Sequence, residues 1–151
     1  MWENNYYKYL FDDVNSESIS TFESCDRRLQ SIFKMFLLGS ANTDQSKSVF
    51  ISVKNTALAE MVKLKKSDIE TILKTAQSIG IKKNNDYGST NILKYGIIGI
   101  IVRLGDKIAR FKNLSAQTTK QMVLDENLED TLLDIINYST YGEMLNDGVW
   151  D

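Results

Sequence analysis

Two stretches of this 151-residue chain, 93–114 and 126–145, repeat apolar residues every three or four positions, and the chain has no proline to interrupt them. Those spacings keep side chains on one face of an α-helix. The first stretch aligns Ile97, Ile98, Ile100, Ile101, Leu104, Ile108 and Phe111, and the second Leu128, Leu132, Ile135 and Ile136. Two helices with such faces must bury them against other elements, so the chain must build a helical core.

Glycines and capping residues punctuate the rest. Residues 20–38 predict a helix with Phe22, Leu29, Ile32, Phe33, Phe36 and Leu37 on one face and Gly39 as its stop. Residues 40–48 read as a polar loop. "VFISV", 49–53, is β-branched enough for a short strand, a loop or a helix start being the alternatives. Asn55 can open a short helix to Val62, and Ser67 with Glu70 forms a capping box for a helix ending at Ser78 and Gly80. "IKKNNDYGSTN" reads as turn, "SAQTTKQMVLDEN" as connector, and Asp125 as the cap of the last helix. The expected fold is all-α, a compact bundle of five or so helices with one short β element near 49–53.

Composition narrows the chemistry. An apolar fraction of 42% with 25% charged residues is that of a soluble globular protein. The longest apolar run, "YGIIGIIV", is too short to span a bilayer, and no N-terminal stretch has the order of a signal peptide. A lone cysteine, Cys25, fits a reducing cytoplasm and a packed helix face. No histidine is present. This removes Ser-His and Cys-His hydrolysis and imidazole-bound zinc, so a metal site must rest on carboxylates, as Mg²⁺ or Mn²⁺ sites do.

The net charge of −2 conceals an asymmetry. Residues 31–120 carry fifteen bases and six acids, whereas residues 121–151 carry eight acids and no base. The basic and acidic parts either neutralise each other or share a site for phosphates and a cation.

Two polar stripes concentrate this asymmetry. Arg103, Lys107 and Arg110 follow at four and three, with Asp106 beside them. Glu126, Asp130, Asp134, Asn137 and Tyr141 follow at four, four, three and four. One reading pairs Arg103 or Arg110 with Asp130 or Asp134 as interhelical ion pairs. The other is a cleft in which Asp106, Asp130 and Asp134 hold Mg²⁺ while Arg103, Lys107 and Arg110 meet phosphate oxygens. "KKNNDYG" is either a solvated turn or a third component, with Lys82 or Lys83 on a phosphate and Asp86 and Tyr87 on base or sugar.

Two resemblances add to this reading. Within residues 25–92, "NTALAEMVKLKKSDIETILKTAQSIGI" resembles a helix-turn-helix, and "KKNNDYGSTNIL" resembles the wing that follows it in winged-helix DNA-binding regulators. Its recognition helix opens with Ser67, Asp68, Glu70 and Thr71, where base-reading Arg, Asn or Gln is expected. The second is more specific. "KKNNDYG", "GIIGIIVRLGDKIARFKNL" and "ENLEDTLLDIINYS", in that order between about residues 70 and 145, resemble the nucleotide-modification-associated domain family first described in bacteriophages.

That resemblance implies a domain at 66–151 preceded by a helical extension, 1–65, of unassigned role. It implies an oligomeric protein of phage or prophage nucleotide metabolism in the host cytoplasm, with Asn137 among its nucleotide-binding residues. The family is distantly similar to the all-α MazG-type nucleoside triphosphate pyrophosphatases, which implies Mg²⁺-linked cleavage. This chain departs from their carboxylate blocks. Arg103, Asp106, Lys107 and Arg110 stand on the helix of the first block, and Asn127 replaces a glutamate of the second. A non-catalytic protein that sequesters a nucleotide as a counter-defence factor is the alternative.

Overall fold

The computed structural model describes residues 2–15, 20–117 and 121–150. Six helices follow in order: α1 Trp2–Phe11, α2 Phe22–Leu37, α3 Thr43–Lys65, α4 Ile69–Tyr87, α5 Thr90–Ser115 and α6 Gln121–Asn146. Among the described residues there is no strand, and no helix is long and apolar enough to cross a membrane.

Helix α6 is the central element. It packs along both α3 and α5 and also touches α1 and α4. From Thr131 to Met144 every residue except Tyr138 is buried. Leu132, Leu133, Ile135 and Ile136 are buried together with polar residues such as Thr131, Asn137 and Thr140, so α6 is buried around most of its circumference. Gly142 lets α3 come close, because a Cβ there would lie 2.6 Å from the Phe50 ring.

Helix α3 overturns three expectations. It begins at Thr43, where Asn42 caps it by accepting from the Gln45 amide, so residues 43–48 are helix rather than loop. The expected β element at 49–53 is helical too. Val49, Phe50 and Val53 lie on one helix face and are buried in the core, and that burial outweighs their β-branched preference. Asn55 is no cap but a buried mid-helix amide. It donates to the Asp13 carbonyl and accepts from the Asn15 amide, tying the chain after α1 to α3.

Helix α4 is capped by Asp68, whose carboxylate accepts from the Thr71 amide, rather than by the Ser67–Glu70 box. It continues through Gly80 to Tyr87. Gly80 is a packing notch and not a stop, since a Cβ there would collide with the Tyr6 phenol. The segment expected as turn or wing is therefore the last turns of α4, ending at Gly88 (φ +81°), so no winged helix forms at 25–92. Helix α5 contains one non-helical residue, Gly96 (φ +61°), which separates its first turn from the long straight part. Helix α6 starts at Gln121, so Asp125 lies inside it and does not cap it. Part of the expected connector, 118–120, lies outside the described residues. The helix over 20–38 and its Gly39 stop (φ +73°) hold, with Thr21 as the cap.

Both chain ends pack over α6. Trp2 stacks on Tyr6 at 4.9 Å, and Tyr141 meets Trp150 edge-on at 5.2 Å. Lys54 is fully buried. Its ammonium donates to the carbonyls of Tyr9 and Asp12 and lies 2.9 Å from Glu143 Oε2.

Candidate functional site

The C-terminal turns of α4, the first turn and middle of α5, and the middle of α6 enclose a cavity of about 370 Å³. That volume suits a small ligand. Lys83 from α4, Arg103 and Lys107 from α5, and Asp134 from α6 line it. Three cations against one carboxylate leave it net positive. Tyr87, Tyr138 and Tyr141 supply aromatic surface, and Tyr87 stands 71% exposed at the rim.

Asp134 organises the cations. Its Oδ1 accepts from Lys83 Nζ at 2.7 Å and its Oδ2 lies 2.9 Å from Lys107 Nζ, so one carboxylate joins three helices. Burial pulls the Lys83 ammonium down, but the hydrogen bond and charge of Asp134 outweigh it and leave its pKa raised. Lys83 is therefore charged across the physiological range. Arg103 is held otherwise, its guanidinium 5.8 Å from the Tyr138 ring centroid, in cation–π range. Among the described residues Arg103 makes no ion pair, so its five donors are available to an anion.

Asn137 forms part of the floor and is fixed from behind. Its amide donates to the Ala76 carbonyl at 2.9 Å, and its Oδ1 accepts from the Tyr6 hydroxyl at 2.5 Å. At the rim, the Trp150 indole donates to the Ser89 carbonyl at 2.8 Å and pins the turn after Gly88.

A second cavity of about 470 Å³ adjoins the first. Lys82, Asp86 and Asp130 line it, and it shares Lys83, Tyr87 and Asp134 with its neighbour. The Lys83–Asp134 pair forms part of the wall of both.

Of the residues expected from sequence, Lys83, Tyr87, Arg103, Lys107, Asp134 and Asn137 meet in the first cavity, and Lys82, Asp86 and Asp130 in the second. Arg110 and Asp106 line neither. Arg110 donates to Thr131 Oγ1 at 3.2 Å, farther along α6, and Asp106 is exposed. The ion pairs expected for Arg103 or Arg110 with Asp130 or Asp134 are replaced by lysine pairs.

The set Asp106, Asp130 and Asp134 does not fit a Mg²⁺ ion in this arrangement. Among the described residues no three acidic, histidine or cysteine side chains stand close enough to hold a metal, and both oxygens of Asp134 face lysines. Asn84, Asn91, Ile92 and Tyr138 also line the first cavity and were not expected. Asn84 was legible in principle. Once "KKNNDYG" is read as helix, Asn84, Tyr87 and Gly88 follow at three and four from the polar face.

No curated protein and no solved structure matches the chain. Residues 83–144, which supply every side chain of the first cavity, match the model of the family described as nucleotide modification associated domain 1, the family that the three sequence motifs resemble.

Proposed function

We propose that the first cavity binds a nucleotide by its phosphates and that the protein is a nucleotide binder rather than a pyrophosphohydrolase. What supports the reading is the convergence of Lys83 and Lys107 on Asp134, from two different helices, in a cavity that also receives Arg103. The two ammonium groups stand assembled before any ligand arrives, so their ordering cost is already met. Phosphate oxygens meet the lysines as point charges and the Arg103 guanidinium by parallel hydrogen bonds. Tyr87, exposed at the rim, is free to stack on a base.

Binding is favoured over hydrolysis because the carboxylates a metal would need are not gathered and Asp134 is engaged by lysines. Mg²⁺ enters only as the counter-ion that a triphosphate carries. Isothermal titration with deoxynucleoside triphosphates, alongside a pyrophosphate-release assay, tests the reading. Binding without release is expected, weakened about tenfold or more by Lys107→Ala, on the scale of a lost charge-assisted contact. Steady release of pyrophosphate would make the protein an enzyme, and absence of binding to any nucleotide would remove the reading altogether.

A further inference from the structure

Two side chains of the first cavity are left over by phosphate binding. Asn84, in the last turn of α4, and Asn91, at the start of α5, flank the Gly88 turn and line the cavity beside Tyr87. Both are half-buried, and among the described residues neither side-chain amide makes a hydrogen bond within the protein. A carboxamide carries donors and an acceptor in one plane. Half-buried and unpaired, the two amides retain most of their hydrogen-bonding capacity for a ligand.

The turn that carries them is fixed. The Gly88 amide bonds back to the Asn84 carbonyl at 2.8 Å, and the Asn91 amide bonds to the Gly88 carbonyl at 3.3 Å. Trp150 holds Ser89, and Ile92 is buried one residue beyond Asn91. The amides are thus presented from a rigid support, as selective polar contacts require. Asn137, the third asparagine of the cavity, is by contrast engaged by Tyr6 and Ala76.

We infer that Asn84 and Asn91 read the hydrogen-bonding edge of a nucleobase whose face rests on Tyr87, making the ligand a base-bearing nucleotide and not a bare polyphosphate. This rests on the phosphate-binding reading of the same cavity. Inorganic phosphates offer no planar donor–acceptor edge for a carboxamide, whereas every base offers one. Arg103 and Lys107 of α5 and Lys83 of α4 then serve the phosphates, while the α4–α5 turn serves the base.

The test uses the whole protein, four probes (dATP, dGTP, dCTP and dTTP) and inorganic tripolyphosphate as the base-free control, with affinities from titration calorimetry. At least one nucleotide is expected to bind ten times or more tighter than tripolyphosphate. Asn91→Ala is expected to lower that nucleotide's affinity about tenfold and leave tripolyphosphate unchanged, the scale on which a site's unpaired polar groups discriminate. Asn84→Ala is expected to act in the same direction, and Lys107→Ala to weaken both ligand types. Equal affinity for tripolyphosphate and all four nucleotides, or asparagine variants that shift both ligand types alike, overturns the inference and leaves phosphate binding standing. Failure of tripolyphosphate and every nucleotide to bind removes the phosphate reading itself. Circular dichroism of each variant separates a lost contact from a lost fold.

Discussion

The Tyr6 hydroxyl reaches Asn137 across a sequence separation of 131 residues and donates to its Oδ1. The N-terminal helix thereby sets the orientation of an amide in the floor of the cavity. The same phenol contacts the Ala76 carbonyl at 3.1 Å and occupies the notch left by Gly80. Burial drives its pKa well above the ordinary tyrosine range, so it remains a neutral donor.

Tyr6→Phe keeps the ring in its notch and removes only the hydroxyl. Asn137 Oδ1 then loses its buried donor, and the expected loss is about 1–3 kcal/mol of unfolding free energy. Urea denaturation reads this directly. A change within a few tenths of a kcal/mol would mean that the hydroxyl does not satisfy Asn137.

Asp134 both holds Lys83 and Lys107 and competes with a phosphate for them. With an anion arriving a few ångströms away, the removed repulsion exceeds the lost positioning, because both lysines remain anchored by their helices. Asp134→Asn is therefore expected to tighten nucleotide binding about tenfold, and Lys83→Ala to weaken it by a similar factor. A weaker-binding Asp134→Asn variant would show instead that the carboxylate's positioning of the two lysines outweighs the repulsion it brings.

The helices were legible wherever apolar spacing ran unbroken, as in α2, α5 and α6. The errors share a cause: polar or β-branched residues whose role is set by distant partners. Lys54 and Asn55 look like a helix boundary until the carbonyls of α1 and its following loop are placed against them. Gly80 looks like a stop until Tyr6 fills its notch. In the site, stripe spacing on α5 and α6 identified Arg103, Lys107, Asp134 and Asn137. It could not show which cation reaches Asp134, because Lys83 comes from α4, a segment that its glycine and asparagines disguise as a turn.

Gly142 is as exacting as Gly80. Its α-carbon faces the Phe50 ring, and a methyl group there would stand 2.6 Å from two ring carbons. Neither helix can withdraw without opening the α3–α6 seam, the most extensive in the protein. Gly142→Ala gains helix propensity of about 1 kcal/mol, yet overpacking of this kind costs about 1–3 kcal/mol and wins. A lower midpoint of thermal unfolding is expected. An unchanged or higher one would show that Phe50 can turn aside.

Glu143 faces Lys54 in full burial, with no hydrogen-bond donor well aligned to either carboxylate oxygen among the described residues. Burial pushes its pKa up to about 7 despite the pull of Lys54, with Asp13 adding to the rise and Lys47 opposing it. In the unfolded chain a glutamate ionises near pH of about 4.3. Between those values the folded state binds the extra proton, so stability is greatest below the window and falls as pH rises through it. The fall amounts to at most about 4 kcal/mol, at roughly 1.4 kcal/mol for each unit between the two pKa values. Glu143→Gln mimics the protonated form and carries no such dependence. Denaturant titrations at pH 5 and pH 8 are therefore expected to show wild type losing stability relative to Glu143→Gln on going to pH 8. If the difference stays constant, or if wild type gains, the pair is a fully ionised salt bridge in which the attraction of Lys54 exceeds the burial penalty.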